Sequence, residues 1–281
     1  MRYRDVGVVT FDPKQAMPGI TLIAPLAGKT VYLIGLRGET LHQWNLPFTP
    51  GNYAYLLPNG NLLWSGRTPE GPPIPQGKGG ILREYNWVGE VLWEYRDPGQ
   101  HHDFRRLPNG NTIYIGREPI PREAVARIKG GLPGSEHDGQ IYGDYLREVN
   151  TKGETVWEWY AHRDMELERH ELCPLCARDE FAHANTCAPL PDGNIMISFR
   201  RLNLIAIIDR ETKRFRWEKR DDTWGHQHDC HLLPNGNILF FANGCHGTGI
   251  PFSRVIEMDM DTGKTIWEYQ GWPQHTFYSP N

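Results

Sequence analysis

Two histidines and three arginines stand at matched distances, and a third histidine two residues further out, from a phrase that this chain repeats four times: LLPNGN at Leu56 to Asn61, RLPNGN at Arg106 to Asn111, PLPDGN at Pro189 to Asn194 and LLPNGN at Leu232 to Asn237. Counting back five residues from the leucine before the proline gives Asn52, His102 and His228, and His183 lies seven before Leu190. Counting forward ten gives Arg67, Arg117, Arg200 and Asn243. Equal offsets from a shared turn mean equal places in a repeated unit, so these side chains converge if the units share an axis. A planar, permanently charged guanidinium suits an oxyanion, and Arg67, Arg117 and Arg200, with Asn243 in the fourth place, are expected to hold a sulfate, phosphate or carboxylate group. Imidazoles crowded beside fixed cations stay neutral, basic and nucleophilic near pH 7. An anion site lined with neutral imidazoles suits group transfer.

The competing role for such residues is structural, since His and Asp can staple one repeat to the next through backbone hydrogen bonds. Asp103 and Asp229, on the opposite strand face from His102 and His228, are expected to fill that role. A metal reading also exists, because His226, His228 and Cys230 alternate along one strand. Arginines close by would repel a divalent cation, so the primary reading carries no metal and no cofactor. Cys173-Pro-Leu-Cys176 is a tight pair among five cysteines, open to a local disulfide, a partial zinc knuckle or two free thiols. Its place between Tyr160 and Phe181 favours a stabilising or lid role over catalysis.

The elements that must position these groups follow from the turns. Proline presets φ, Asn or Asp tolerates the left-handed region and Gly takes φ > 0, so each phrase reads as a hairpin. A second phrase interleaves with it: Gly38 to Trp44, Gly89 to Tyr95, Gly153 to Trp159, Thr212 to Trp217 and Gly263 to Tyr269, each a turn followed by an alternating strand. Short apolar runs such as Leu82 to Tyr85, Leu146 to Val149, Ala206 to Asp209 and Val255 to Met258 lie between them. Every unit therefore supplies four strands, with no 3.6-residue period long enough for a helix. This is an all-β chain, a β-propeller of four-stranded blades in a single domain over residues 1–281. The first unit offers Thr21 to Ala24, Val31 to Ile34 and Thr40 to Trp44 but no phrase-bearing inner strand. Five blades, closed by pairing of N- and C-terminal strands, account for this; a six-blade parent lacking its last unit gives the same pattern.

Thirty Gly and ten Trp suit blades turned by glycine and packed through aromatic outer strands. The formal charge of −4, with both signs interspersed, argues against a nucleic-acid or anionic-membrane partner. No apolar stretch has the length of a membrane span, and Met1-Arg-Tyr-Arg-Asp5 lacks a signal-peptide layout, so a cytoplasmic location is expected unless a leader was removed. Ring closure hides strand edges, so the sequence carries no signal of oligomeric state.

Several segments resemble the bacterial arylsulfotransferase family: Glu171 to Asn185, Ser198-Phe-Arg200, Leu204 to Asp209, Gly225-His-Gln-His-Asp229, Ser253 to Glu257 and Phe277-Tyr-Ser-Pro280. The resemblance runs through nearly the whole chain in the same order. It implies a propeller enzyme that moves a sulfuryl group from an aryl sulfate to a phenol, without a nucleotide donor, through a sulfated histidine. His228 resembles the histidine that carries the group, and His102, His183 and Arg200 resemble the remaining active-site residues. Transfer is then ping-pong, with a small-molecule aryl sulfate and a phenol as partners. Two other classes stand beside this one. A metal-dependent propeller hydrolase or lyase would use the His cluster with an ion. A non-catalytic binding propeller would seat partners on loops 122–137 or 163–180 and would lack the ring residues, which are present.

Overall fold

The computed structural model describes residues 7–247 and 249–280, which form two compact units, one ending at Gln100 and one beginning at His101. In the first unit β1 (Thr21–Ile23), β2 (Thr30–Ile34) and β3 (Thr40–Asn45) make a three-stranded antiparallel sheet. The strands β4 (Pro50–Leu56), β5 (Leu62–Arg67), β6 (Gly80–Tyr85) and β7 (Val91–Arg96) pair in sequence order as an antiparallel blade. Val31, Leu33 and Trp44 of the one pack with Leu62, Trp64, Ile81 and Tyr85 of the other.

The second unit holds three more blades. The first pairs β8 (Gln100–Arg106), β9 (Thr112–Pro119), β11 (Tyr142–Val149) and β12 (Thr155–Tyr160), with β10 (Gly130–Leu132) in the excursion between β9 and β11. A loop then carries β13 (Leu172–Ala177), parallel to β10, and β14 (Glu180–Phe181), parallel to β11. The second blade is β15 (Ala184–Pro189), β16 (Ile195–Phe199), β17 (Leu204–Ile208) and β18 (Phe215–Arg220), and the third is β19 (His228–Leu232), β20 (Ile238–Ala242), β21 (Arg254–Met258) and β22 (Thr265–Gln270). Among the described residues the two α-helices, Arg122–Val125 and Ala161–Asp164, are single turns inside loops. None of the described helices is long and apolar enough to cross a membrane.

The repeated phrases explain the repetition. Gly60, Gly110, Gly193 and Gly236 all sit at φ between +85° and +87°, a region open to glycine, at the hairpin between inner strands. The Asn or Asp before each glycine accepts from the backbone N–H of the phrase's final Asn, as Asn59 does from Asn61 at 3.0 Å and Asp192 from Asn194 at 3.1 Å. The outer-strand tryptophans link neighbouring sheets. Trp44 Nε1 donates to Asn86 O at 2.9 Å, Trp157 to Arg210 O at 3.0 Å and Trp217 to Met260 O at 3.1 Å. Middle strands are covered on both faces, with every residue of β16 and β17 buried, whereas β22 is exposed almost throughout. Ile113, Leu146 and Trp159 pack against Ile197, Phe199 and Leu204 between two blades, and Met196, Ile205 and Ile207 against Phe240 and Ile256 between the next two.

One expectation needs correction. The C-terminal segment forms no strand among the described residues after Gln270. Pro273 and Pro280 supply no N–H for a ladder, and Phe277 instead packs against Phe241 and Tyr269 while its carbonyl accepts from Ser253 N at 2.8 Å. Closure by a paired C-terminal strand therefore lacks that strand.

Candidate active site

The second unit brings His102, His183, Arg200 and His228 together, each delivered by the start or end of an inner strand. Regular alternation does not place them. His102, His183, His226 and Asp229 all take left-handed backbone, with φ of +50°, +57°, +71° and +57°. Histidine and aspartate are among the few non-glycine residues that visit this region. The ladder slips between Ala184 and Thr186 and again between His228 and His231, so each inner strand turns its first side chains out of the pleat.

His228 Nδ1 lies 2.7 Å from Asn243 Oδ1 and 3.0 Å from the carbonyl of His226. Both partners are acceptors, so Nδ1 carries the hydrogen and Nε2 holds the lone pair. Burial, ahead of the nearby Arg200 charge, lowers the pKa of this imidazole to about 4, keeping it neutral at pH 7. Asn243 is itself fixed by donating to Ser279 O at 2.9 Å. This residue, read from the sequence as an anion ligand, therefore orients His228.

His183 Nδ1 sits 2.6 Å from Glu180 Oε2, and Glu180 Oε1 is 2.6 Å from Arg117 Nη1. The same carboxylate lies 3.5 Å from Arg201 Nη2, and Arg201 Nη1 also donates to Asp179 Oδ1 at 2.6 Å. Arg117 is buried and compensates the charge of Glu180, the partner that its place in the repeat did not disclose. Arg200 anchors by its backbone N–H to His183 O at 3.0 Å, and its Nη2 reaches Pro280 O at 3.5 Å. Burial, then the charges of Arg201, Arg117 and Arg200, lowers the basicity of His183, and Arg200 adds to the effect of burial on His228. Arg67 lies in the first unit, exposed at the end of β5, where it donates to the carbonyls of Lys78 and Pro75 in its own loop.

His102 stacks edge-on to His183 with ring centroids 4.8 Å apart. Its Nδ1 is 2.7 Å from His101 Nδ1, and His101 Nε2 is 3.2 Å from Asp144 Oδ1. Asp144, His101 and His102 thus stand in line in the interior, the two imidazoles hydrogen-bonded through Nδ1 and the carboxylate at ion-pair distance from the first. Burial, then the charge of Glu180, pushes the Asp144 carboxyl up to about 8, while Ala184 N donates to its other oxygen at 2.8 Å. Burial, followed by the charges of His183 and His101, holds His102 well below the usual imidazole range.

His101, Asp144, Glu180 and Arg201 are the residues that sequence reasoning missed. The doubled histidine in HHDF was the available signal for His101. The two carboxylates meet because β14 pairs in parallel with β11, Tyr142 opposite Glu180, a contact that no repeat offset encodes. Asp103 does act as a staple, its Oδ2 accepting from Cys187 N at 2.8 Å in the next blade, and Asp229 joins through its backbone N–H to Thr186 Oγ1 at 2.9 Å. The proposed metal trio is dispersed: His228 faces Asn243, His226 Nε2 lies 3.5 Å from Cys176 Sγ, and Cys230 is packed among Met196, Ile205 and Phe240. A different set, Cys173, Cys176, His226 and His246, places four ligand atoms within 4.8 Å of one another.

A family model described as Arylsulfotransferase (ASST) matches residues 55–225. No curated protein matches the sequence. Among solved structures, a protein of unknown function from Bacteroides caccae is similar at 13% identity and a TM-score of 0.54, with 90% of this chain and 73% of that one covered. A streptogramin B lyase is similar at 11% identity and a TM-score of 0.51, and this chain, 89% covered, spans 65% of its length. Regucalcin, a calcium-binding protein from Agrobacterium tumefaciens, is similar at 16% identity and a TM-score of 0.50, over 92% of this chain and 72% of that one. At such identities the likeness is one of fold, which is propeller-like.

Proposed function

The chain belongs to the arylsulfotransferase family, and from that premise we propose that it transfers a sulfuryl group from an aryl sulfate to a phenolic acceptor, without a nucleotide donor, through a sulfated His228. The reading takes the repeats as blades of one propeller, with the cluster at the mouth of its channel. One observation carries it: Asn243 and the His226 carbonyl hold the hydrogen of His228 on Nδ1, so a neutral Nε2 lone pair stands beside Arg200.

Sulfuryl transfer, like phosphoryl transfer, passes through a loose transition state in which positioning and charge stabilisation dominate. In the first half, His228 Nε2 attacks sulfur, the N–S bond forms and the S–O bond to the aryl group breaks. At neutral pH the raised Asp144 carboxyl keeps its proton and faces the Nε2 lone pair of His101 across 3.2 Å, and in this reading His101 donates from Nδ1 to His102 and His102 carries its hydrogen on Nε2. That hydrogen goes to the departing aryl oxide. The vacancy is refilled along the chain, from His101 and finally from Asp144, which becomes a carboxylate. Arg200 stabilises the sulfuryl oxygens.

In the second half an acceptor phenol gives its proton to Nε2 of His183, and its oxygen takes the sulfuryl group, freeing His228. Glu180, accepting from Nδ1, stabilises the imidazolium that forms on His183. The proton then passes to the adjacent His102 and back to Asp144. The test is the intact mass of the protein after brief exposure to nitrophenyl sulfate with no acceptor, followed by peptide mapping. A gain of one sulfuryl group on His228, discharged by phenol, is expected. A His228→Ala protein that still turns over the aryl sulfate would sink the mechanism.

A further inference from the structure

Two thiols and two imidazoles from three distant segments converge on one point. Cys173 and Cys176 lie on β13, His226 precedes β19, and His246 follows β20 with φ of +58°. Cys173 Sγ is 3.3 Å from His246 Nδ1, Cys176 Sγ is 3.5 Å from His226 Nε2 and 4.0 Å from His246 Nδ1, and no pair of the four atoms exceeds 4.8 Å. Isolated thiol–imidazole hydrogen bonds would satisfy two separate pairs and give no reason for the pairs to meet. A shared ion does. Zinc takes bonds of about 2.3 Å to sulfur and about 2.0–2.1 Å to nitrogen, which in a tetrahedron separates sulfur from nitrogen by about 3.5 Å and the two sulfurs by about 3.8 Å. The observed sulfur–nitrogen spacings, 3.3, 3.5 and 4.0 Å, bracket the first value, and the two sulfurs lie within 4.8 Å of each other.

We propose that Cys173, Cys176, His226 and His246 form a tetrahedral zinc site. Thiolate and imidazole ligands select zinc over calcium or magnesium. The Cys-x2-Cys pair with two histidines fills all four positions, which makes the site structural rather than catalytic. Two thiolates balance the charge of the ion, so the neighbouring Arg200 does not oppose it. Three of the ligands are buried and His246 is exposed, which leaves one side through which the metal can enter. The ion ties the loop carrying β13 to the turns on either side of the β19–β20 hairpin, and it grips His226, whose carbonyl seats His228 Nδ1.

The test uses the full chain purified under reducing conditions from zinc-replete medium, and its readouts are metal content and cobalt spectroscopy, neither of which involves sulfuryl transfer. One zinc per chain is expected. After removal of zinc, cobalt(II) should give thiolate-to-metal charge-transfer bands and the intense visible bands of a tetrahedral ion. His246→Ala, a change at an exposed position, should weaken cobalt binding by more than about 10-fold, the smallest loss seen on removing even an outer-shell partner. Cys245→Ser, beside the site but outside the set, should leave the spectrum intact. The proposal is overturned if the wild-type chain carries no zinc and its cobalt spectrum lacks thiolate bands, if Cys173 and Cys176 prove to be disulfide-bonded in the reduced preparation, or if His246→Ala binds cobalt as the wild type does.

Discussion

Replacing Glu180 by glutamine separates two tasks that one carboxylate performs. Its Oε1 neutralises the buried Arg117, and its Oε2 fixes the hydrogen of His183 on Nδ1. A glutamine can keep its carbonyl on Arg117, but its amide then donates to His183 Nδ1 and forces the hydrogen onto Nε2, the wrong tautomer for a base. Removing one partner of a buried ion pair costs about 3–5 kcal/mol, whereas exchanging both for apolar groups of similar volume is often neutral. With about 2–4 °C lost per kcal/mol in chains of this general size, Glu180→Gln should lower the melting temperature by about 10 °C, and Glu180→Gln with Arg117→Met should regain most of it. Activity should not follow stability. Acid–base catalysis contributes about 10²–10⁴-fold, and in both variants that loss should fall on the second half-reaction, so that sulfated protein accumulates when phenol is limiting. Stability comes from tryptophan fluorescence during thermal unfolding, and the half-reactions from rapid-mixing measurement of nitrophenol release and of protein-bound sulfuryl. If Glu180→Gln melts with the wild type, or if the double variant recovers turnover along with stability, the two roles assigned to this carboxylate are wrong.

The Asp144 carboxyl should impose an alkaline limb near pH 8 on the first half-reaction, and Asp144→Asn, which cannot release a proton, should be slow and flat across it in single-turnover assays. The same group binds its proton in the folded chain between about pH 4 and pH 8 but not when unfolded, so denaturant midpoints should fall as pH rises through that window, and less so in Asp144→Asn. Asn243→Ala should slow sulfuryl transfer to His228 by less than the roughly 100-fold typical of a lost stabilising donor, because the His226 carbonyl still holds Nδ1; stopped-flow burst rates report this. Asp103→Ala should leave the N–H groups of Cys187 and Phe104 unmet, costing about 1–3 kcal/mol for each in denaturant unfolding.

The sequence made the blades legible because each hairpin is a local event: Gly60 and its equivalents adopt one φ in every copy, and Trp44, Trp157 and Trp217 of the second phrase reach a single type of carbonyl. His102, Arg200 and His228 were legible from equal offsets in the repeats, whereas His183 stands two residues off that offset and Arg67, which is on it, bonds the carbonyls of its own loop. Partnership was not. Arg117 and Asn243 were placed at the site, yet their tasks depend on Glu180 and His228, and the Glu180 contact arises from a parallel pairing of loop strand with blade. The trio of His226, His228 and Cys230 assumed a period of two, which the left-handed residues His226 and Asp229 break.

Those left-handed residues also bear on how this protein can change over generations. A non-glycine residue held at positive φ costs on the order of 1–3 kcal/mol, and His102 and His183 both stand in that conformation within the proposed site. Glycine would relieve the strain at either position and remove the imidazole. Selection for heat tolerance and selection for turnover therefore pull the same codons in opposite directions, and a lineage that no longer needed the reaction would be expected to lose these histidines before it lost its blades.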